Sequence, residues 1–408
     1  MRAAGTPIAV VLALAAASTP AQAAGPAATE ARLEREMRAA GPHSSALVVD
    51  VDNGETIFAR APNASRVPAS VNKLHTTAAV LMRLGPEATL TTDVLLDRPA
   101  VDGVITGNLY LRGGGDFTFG PAQARRLAAA VAESGLTEVR GRVIGDEALF
   151  DSHRGLPSTG FATSAWVGPL SALSYQRGLS GSSRPRFQSR PALFAAQRFA
   201  RALERAGVTV RRHARTGVAP GSAQLTLRMP SAPVRDLVAA VNQPSDNFGA
   251  EMMLKLLGAR FAEQGTTAGG ARVVSEAMRE LGVRPQVTDG SGLSRSNRTS
   301  AAQVVTLLRG MDAGVDAAAF SASLPVAGRS GTLARRMRGT AAAGRCRAKT
   351  GTLTGVSALA GYCATPSGRV AFAFLMNGVD VAAARSRQDR MTATLATYRA
   401  AGTTIGAP

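Results

Sequence analysis

Two groups of β-rich runs, one near each end of the chain, constrain the fold more than any other feature of the sequence. Near the start, "SALVVDVDNGETIFARA" contains two such runs separated by Asn53-Gly54, a dipeptide typical of tight hairpin turns. Near the end, three further runs follow one another: "RCRAKTG", "VSALAGYCA" and "RVAFAFLMN". Because an isolated hairpin is only marginally stable, the early one needs partners. Joining both groups predicts one five-stranded antiparallel sheet.

The segments around these runs predict helices and an insertion. Helices are indicated at residues 28–41, from Ser70 to the stop at Gly85-Pro86, and at residues 382–402. Residues 93–227 change character, with short strands and two helical runs of their own. We therefore predict an α+β main domain that is discontinuous in sequence, with an inserted α/β accessory domain. The predicted boundaries are 24–92 and 228–408 for the main domain and 93–227 for the insertion.

The first 23 residues have the features of a secretory signal peptide. A basic residue, Arg2, precedes an apolar run from Ile8 to Ala17, and small residues in an A-x-A pattern end at Ala23. The apolar run is too short to span a bilayer, and no later segment is long and apolar enough to do so. We therefore expect an exported protein without a transmembrane segment, located in the cell envelope or secreted.

The chain carries a formal net charge of +19, which favours polyanionic partners. An anionic cell-wall polymer or an acidic membrane face fits an exported protein. Nucleic acid is disfavoured, because aromatic residues make up only 4% of the chain and the arginines are scattered along the sequence. Codon bias toward arginine and alanine is an equally good explanation of the charge.

Lysine is rare in this basic chain. Lysine and arginine together number 47, yet only Lys73, Lys255 and Lys349 are lysines. Ser70 and Lys73 form an S-x-x-K motif, one helical turn apart at the start of an amphipathic helix. A serine becomes a nucleophile when a base takes its proton, and a lysine with a lowered pKa can be that base, whereas arginine keeps its proton. Alone the motif is weak. We interpret Lys255, well along a later helix, as a surface charge.

A second motif, Ser245-Asp246-Asn247, lies in a break between two helices. Its side chains can act on a substrate or on a neighbouring catalytic group. The alternative is a helix N-cap, because serine, aspartate and asparagine are all favoured there. Both roles are compatible.

A third motif, Lys349-Thr350-Gly351-Thr352, lies on one of the late β-rich runs. An ammonium beside a threonine hydroxyl is suited to a terminal carboxylate, and the glycine would let a ligand backbone approach closely. The alternative is an ordinary edge strand that uses lysine to prevent aggregation.

In the order S-x-x-K, S-D-N and K-T-G, these motifs resemble the signature of the penicillin-recognising serine acyltransferases. Stretches such as "GNLYLRGGGDFTF", "NQPSDNFGAEMMLK", "DGSGLSRSNRTS" and "RAKTGTLTGVSALAGY" are similar to the D-alanyl-D-alanine carboxypeptidase/endopeptidase family of low-molecular-mass penicillin-binding proteins. The resemblance covers about residues 46–377. The chain departs from it at Phe117, where this family usually has proline after Asp116, and in a shorter insertion. These departures concern accessory contacts and leave the motifs intact.

The resemblance implies a fold as well as a family. Its main domain would be the transpeptidase-like domain of penicillin-binding proteins and β-lactamases. That domain has a five-stranded antiparallel sheet flanked by helices, together with an all-helical subdomain. The inserted α/β accessory domain would be the remaining unit.

The resemblance also implies the chemistry of the first two motifs. Ser70 would attack the carbonyl between the last two D-alanines of a peptidoglycan stem peptide, with Lys73 as the proton acceptor. Ser245 and Asn247 would relay protons and hold the peptide. Water would release the acyl-enzyme, β-lactam antibiotics would be trapped as long-lived acyl-enzymes, and no metal or organic cofactor would be needed.

The third motif would bind the substrate. The resemblance implies that Lys349 and Thr350 hold the terminal carboxylate of the peptide. The backbone amides of Ser70 and Thr352 would form the oxyanion hole, and Gly351 lies between the two threonines on the same strand.

Two other functions remain open for such a chain. A β-lactamase of the same fold is one alternative, but class A enzymes deacylate with a glutamate four residues before an asparagine, and no glutamate here has that spacing. A non-catalytic cell-wall-binding protein is the other, and the intact motifs disfavour it. The choice between carboxypeptidase and endopeptidase activity stays open.

Two cysteines, Cys346 and Cys363, lie on neighbouring late runs. A hairpin turning near Thr354 would place them nearly opposite each other. This favours a cross-strand disulfide over two free buried thiols in an exported protein. For His75, on the Ser70 helix, we expect a packing role.

Overall fold

The computed structural model describes residues 24–181 and 186–401, so the predicted signal peptide lies outside the described residues. The strands, in chain order, are β1 (Ser44–Asp50), β2 (Thr56–Arg60), β3 (Thr89–Leu96), β4 (Val104–Ile105), β5 (Leu109–Gly113), β6 (Glu138–Asp146), β7 (Leu179–Ser180), β8 (Arg186–Phe187), β9 (Thr209–Thr216), β10 (Gln224–Pro233), β11 (Cys346–Leu353), β12 (Val356–Thr365) and β13 (Gly368–Asn377). The α-helices are α1 (Pro26–Ala39), α2 (Lys73–Leu84), α3 (Pro121–Glu133), α4 (Pro191–Arg205), α5 (Val234–Asn242), α6 (Asn247–Phe261), α7 (Thr267–Glu280), α8 (Ala301–Ala313), α9 (Ala317–Ala322) and α10 (Val381–Leu395). Short 3₁₀ helices lie at Ala69–Asn72, Pro157–Thr159, Gln176–Gly178 and Gly331–Leu333.

Within the described ranges, no helix is both long enough and apolar enough to cross a bilayer.

The strands from the two ends of the chain form one sheet. Its order is β11-β12-β13-β1-β2, and every pair is antiparallel, as the sequence predicts. The turn between β1 and β2 contains Gly54, whose φ of 76° needs the conformational freedom of glycine. The prediction of a five-stranded sheet built from both ends of the chain is confirmed.

Helices cover both faces of this sheet, which explains why its central strands β12 and β13 are largely apolar on both sides. Alternate residues of β13 point to opposite sides, as the strand period requires. Phe372 and Phe374 pack in one cluster with side chains of α1 and α10. Ala371, Ala373 and Leu375 pack in a second cluster with side chains of α2, α6 and α8.

The helices on the second side form a largely α-helical layer. Its central helix, α6, is buried on nearly every side, because residues from Phe248 to Gly258 are all inaccessible to solvent. Side-chain caps begin two of the neighbouring helices: Thr266 accepts from the Gly269 amide at α7, and Ser300 accepts from the Gln303 amide at α8. A buried α6 gives the residues along it a fixed position relative to α2.

The middle of the chain forms a second sheet. Its order is β10-β3-β5-β6-β4, with β9 paired to β6, and α3 and α4 pack on one face around Phe199. The predicted boundaries at 92/93 and 227/228 fall inside β3 and β10. Boundaries at Thr89 and Pro233 keep both strands whole, and the division into domains stays a proposal.

Candidate active site

The predicted nucleophile and its predicted base meet at the start of α2. Ser70 lies in the 3₁₀ turn Ala69–Asn72, and Lys73 is the first residue of α2. The Lys73 Nζ lies 3.0 Å from the Ser70 Oγ. Ala69, just before the serine, has φ of 47°, an uncommon conformation for a residue with a side chain. The turn is therefore held in a strained shape that presents Ser70 to the solvent side.

Lys73 is fully buried and surrounded by hydrogen-bond acceptors. Besides the serine, its Nζ donates to the Asn247 Oδ1 at 2.7 Å and to the Ser291 carbonyl oxygen at 2.6 Å. Burial lowers the pKa of Lys73 from its ordinary value near 10.5 to about 8, against the opposing charges of Asp289, Glu251 and Asp246. A lysine with this pKa exists partly as the free amine near neutral pH and can accept the serine proton.

The S-D-N motif lies at the start of α6. Asp246 occupies the N-cap position, but its side chain makes no cap hydrogen bond. Its carboxylate accepts instead from the Arg177 guanidinium at 2.5 Å. Asn247 reaches Lys73, and Ser245, with φ of 63°, accepts from the Lys349 Nζ at 2.8 Å. Asp246 thus occupies the N-cap position without capping the helix, and the three side chains make contacts across the site instead.

The K-T-G motif lies on β11, the edge strand of the first sheet. Lys349 is fully buried, and burial and the charge of Lys73 together lower its pKa well below the usual value. The Thr350 hydroxyl donates to the Thr332 Oγ1 at 2.8 Å, and the Thr352 Oγ1 accepts from Arg385 at 3.0 Å. The Lys349 Nζ donates to the Ser245 hydroxyl and to the Thr350 carbonyl oxygen, which are both uncharged, so these bonds supply no counter-charge to the ammonium.

Gly351 lies directly against the turn that carries Ser70. A side chain there would place Cβ 2.6 Å from the Pro68 carbonyl oxygen and 3.1 Å from the Val71 amide nitrogen. The protein's own turn before α2 therefore approaches this glycine closely, and the approach of a ligand backbone stays a prediction. Gly351 lets β11 pack directly against the segment that carries Ser70.

A cavity of about 780 Å³ connects the three motifs. Ser70, Ser245, Asn247, Thr350 and Thr352 line it, whereas Lys73 and Lys349 are buried beneath its surface. Arg336 and Arg385 line it from the side of α10. The structure thus brings all the predicted motif residues to one cavity or directly behind it.

A buried acidic side chain that the sequence reasoning missed supports Lys73. The Glu251 side chain accepts from the Ser291 amide at 2.7 Å and from the Gly290 amide at 3.2 Å. These bonds fix the loop whose Ser291 carbonyl contacts Lys73. Burial and the neighbouring Asp289 raise the pKa of Glu251 to about 8. The sequence does contain one indication of this role: Glu251 lies four residues after Asn247, and therefore on the same face of α6 as this motif residue.

The inserted segment also reaches the site, through Trp166 and Arg177. The Trp166 carbonyl oxygen accepts from the Asn247 Nδ2 at 3.3 Å, and its side chain, 73% exposed, lines the cavity. The Arg177 guanidinium contacts Asp246 and also lies 5.4 Å from the centre of the Phe248 ring. No local pattern marks these residues, because their role depends on how the insertion folds back onto α6.

The interpretation of Lys255 as a surface charge was wrong. Its side chain is fully buried, and its Nζ donates to the Asp151 carboxylate at 2.5 Å and to the His153 carbonyl oxygen at 2.8 Å. The inserted segment covers this side of α6, so the helix has no solvent face at Lys255. A second cavity, of about 820 Å³, is lined by Asp151 and His153 and by none of the motif residues.

Cys346 and Cys363 form a disulfide, as predicted. They are directly paired across β11 and β12, which turn at Thr354 and Gly355. His75 is fully buried, with its Nδ1 3.2 Å from the Asn72 carbonyl oxygen, and burial lowers its pKa to about 4. It occupies a packing position behind the Ser70 turn.

Comparison with known proteins gives a consistent family. The D-Ala-D-Ala carboxypeptidase 3 (S13) family matches residues 28–183 and 182–398. A D-alanyl-D-alanine carboxypeptidase from Actinomadura sp. is 33% identical over 88% of this chain and 82% of its own. A carboxypeptidase from Mycolicibacterium smegmatis is 32% identical over 81% of this chain and 75% of its own. Penicillin binding protein 4 from Haemophilus influenzae is 19% identical and superimposes with a TM-score of 0.75, covering 87% of this chain and 98% of its own, which confirms the fold class.

Proposed function

Because the chain belongs to the D-Ala-D-Ala carboxypeptidase 3 (S13) family, we propose that it is a serine peptidase acting through an acyl-enzyme on Ser70. Its substrates are peptidoglycan stem peptides that end in D-alanyl-D-alanine. The observation that carries the assignment of Ser70 is its contact with Lys73, a buried lysine whose Nζ lies 3.0 Å from the serine oxygen. A lone exposed serine would have no such partner.

Lys73 takes the proton from Ser70 as the serine oxygen attacks the carbonyl carbon between the two D-alanines. The bond from Oγ to this carbon forms, and the proton stays on the lysine. Asn247 and the Ser291 carbonyl hold the Lys73 Nζ at 2.7 and 2.6 Å, so the base is oriented before the substrate arrives. Orientation of this kind avoids a reorganisation cost during the reaction.

Lys349 and Thr350 bind the terminal carboxylate of the substrate. Burial and the charge of Lys73 depress the pKa of Lys349, and an arriving carboxylate reverses this effect by supplying the opposite charge. Binding of the anion therefore stabilises the protonated form of the lysine. A peptide with an amidated C-terminus lacks this interaction and is a poor substrate.

The tetrahedral intermediate carries its negative charge on the former carbonyl oxygen. The backbone amides of Ser70 and Thr352 donate to this oxygen, and loss of one such donor typically costs on the order of 10²–10³ in turnover. As the intermediate collapses, the C–N bond breaks, and the proton that Lys73 took from Ser70 passes through Ser245 to the nitrogen of the leaving D-alanine, so Lys73 becomes neutral again. The bond from the Lys349 Nζ orients the Ser245 hydroxyl for this transfer. Water then gives a proton to Lys73 as it attacks the ester carbon, and the Ser70 Oγ takes that proton back as its bond to the carbon breaks and the shortened peptide leaves.

The same nucleophile reacts with β-lactam antibiotics, because their strained amide presents a carbonyl to Ser70 and a carboxylate to Lys349. Deacylation is slow, since Glu251, the acidic residue behind Lys73, uses both oxygens to hold backbone amides.

The protein is exported after removal of residues 1–23 and works on the cell wall. Anionic cell-wall polymers are the partners that its net charge of +19 favours.

Labelling with a fluorescent penicillin tests the proposal. The purified protein should become covalently labelled, whereas Ser70→Ala should not, and Ser222→Ala, an exposed serine of the insertion, should label like the wild type. A peptide ending in D-Ala-D-Ala should release D-alanine in the same three-protein comparison. Equal labelling of Ser70→Ala and the wild type would remove Ser70 from the mechanism.

A cross-linked muropeptide dimer distinguishes the two physiological reactions. Release of free D-alanine alone assigns carboxypeptidase activity, and cleavage of the dimer into monomers assigns endopeptidase activity. Rapid turnover of the penicillin, with no label retained by the protein, would favour the β-lactamase alternative instead.

A further inference from the structure

Five arginines that are scattered in sequence gather on the outer face of the second sheet. Strands β6 and β9 are parallel neighbours, with Arg142 opposite Arg212 and Ile144 opposite Arg215. Residues paired in this way share a face, and residues two apart on β6 share it as well. We call the resulting set, which consists of Arg140, Arg142, Arg211, Arg212 and Arg215, the basic strand face.

The opposite side of the same strands is apolar. Val139 and Val143 of β6 pack with α3 and α4 in the core of the insertion. The strand period therefore forces the intervening residues outward, and Arg211, Arg212 and Arg215 of β9 are exposed. The register of β9 against β6 shifts on both sides of Arg142, so additional β9 residues reach this face.

The positive charge of the basic strand face is not neutralised within the described chain. Glu138 contacts two of its members, Arg211 at 2.8 Å and Arg140 at 3.8 Å. In residues 24–181 and 186–401, no carboxylate lies within ion-pair distance of the other three. Burial and the charges of Arg215 and Arg212 lower the pKa of Arg142, which donates to the His213 carbonyl oxygen at 3.1 Å. Among the described residues, Glu138 is thus the acid within ion-pair distance of these five guanidinium groups.

We propose that the basic strand face binds a phosphodiester polymer of the cell wall. This inference rests on the proposed function, because an enzyme acting on peptidoglycan works beside such polymers. Arginine suits phosphate, since its planar fork can donate two hydrogen bonds to one group. The strand positions that carry these arginines lie about 5 Å apart across the two strands and about 7 Å apart between alternate residues of one strand, which presents repeated charge to a linear ligand.

The exposure of these side chains favours a polymer over a small anion. A single exposed charge pair contributes little and is screened by salt, so appreciable affinity requires a ligand that engages several arginines together. A membrane surface would also supply many charges. Val218, just after β9, and Leu225, on the same face of the sheet but at its other edge, are exposed, and two such separated residues give too little apolar area to anchor a sheet in a bilayer.

The face lies apart from the catalytic cavity, so binding and catalysis can be measured separately. The cavity is built from α2, α6 and β11, and none of the five arginines lines it. Polymer binding would keep the enzyme at the wall while the cavity turns over stem peptides. Activity on a small soluble peptide should not depend on the basic strand face.

The test measures binding of the protein to immobilised poly(glycerol phosphate) over a range of salt concentrations. The variant Arg142→Gln/Arg212→Gln/Arg215→Gln should bind roughly 10- to 100-fold more weakly at about 50 mM salt, because three guanidinium groups can no longer pair with phosphate. The control Arg32→Gln/Arg35→Gln/Arg260→Gln removes the same charge from exposed residues on α1 and α6 and should change affinity less than about threefold.

Each outcome decides one question. Equal weakening in both triple variants would overturn the proposal, because net charge alone would then explain binding. Tighter binding to vesicles of anionic phospholipid or to duplex DNA than to the polymer, with the same loss in the first variant, would also overturn it. D-Alanine release from a soluble peptide should be equal in all three proteins. Absence of that release in the wild type, with polymer binding intact, would refute the proposed function and leave the binding face standing.

Discussion

The pH dependence of acylation tests the assignment of Lys73 as the base. Acylation requires the free amine, and burial lowers the pKa of Lys73 from about 10.5 to about 8. At pH 7 about one molecule in ten then has a neutral Lys73, compared with roughly three in 10⁴ for an unshifted lysine. This difference is about 300-fold, or about 3 kcal/mol at 1.36 kcal/mol for each pKa unit.

The sign of the effect follows from the direction of the shift. Below pH 8 the acylation rate should rise about tenfold for each pH unit, because each unit increases the free amine by that factor. Above pH 8 it should level off, and it should fall where Lys349 loses its proton and no longer attracts a carboxylate. The pKa of Lys349 is itself lowered by burial and by Lys73, so this descending limb belongs below its usual range.

The assay is the second-order rate of labelling by a fluorescent penicillin between about pH 5.5 and 9.5 at constant ionic strength. Labelling reports the attack of Ser70 alone, without the later hydrolysis. Lys73→Arg should lose on the order of 10²–10⁴ in rate and show no rise with pH, since a guanidinium keeps its proton.

Lys255→Arg is the matched control. It makes the same replacement at a buried lysine that pairs with Asp151 and does not contact Ser70, so the pH profile should keep its shape. A wild-type rate that is flat from pH 6 to 9, or that rises only near 10.5, would refute the reasoning. Substantial labelling of Lys73→Arg would refute it as well.

Three further predictions concern the support of the site. Glu251→Gln leaves the amide of Gly290 or Ser291 without an acceptor and loosens the loop whose Ser291 carbonyl orients Lys73, so labelling should slow about tenfold; an unchanged rate would contradict this role. Gly351→Ala places a Cβ 2.6 Å from the Pro68 carbonyl oxygen, so chemical denaturation should show a free energy of unfolding lower by about 1–3 kcal/mol together with slower labelling. Replacing Cys346 and Cys363 together by alanine should lower the free energy of unfolding by about 3 kcal/mol while D-alanine release is retained, and loss of activity in the folded variant would argue against a purely structural disulfide.

The sequence was sufficient to predict the main sheet, because its strands carry strong local signals. Asn53-Gly54 marks one hairpin, and the period of two along "RVAFAFLMN" places alternate side chains on two covered faces. Ser70, Lys73 and Lys349 were identifiable for a related reason. Each lies in a short motif whose residue types are chemically restricted.

The remaining features depend on contacts between distant segments. Glu251 accepts hydrogen bonds from backbone amides 39 and 40 residues away. Every residue type except proline has a backbone amide, so the sequence does not indicate which amides a side chain will bind. Arg177 reaches Asp246 only because the insertion folds onto α6, and the same coverage buries Lys255. A pattern within one helix cannot reveal a layer that covers it from elsewhere.

The burial of all the lysines has a practical consequence for the native protein. Lys73, Lys255 and Lys349 are completely inaccessible to solvent, and the chain has no others. Amine-directed reagents such as succinimidyl esters should therefore modify the folded protein at its N-terminus only. A protease specific for lysine should likewise leave it intact until it unfolds, whereas trypsin can cut at the exposed arginines. The rate of lysine-specific cleavage thus measures opening of the fold around the catalytic lysines and around Lys255.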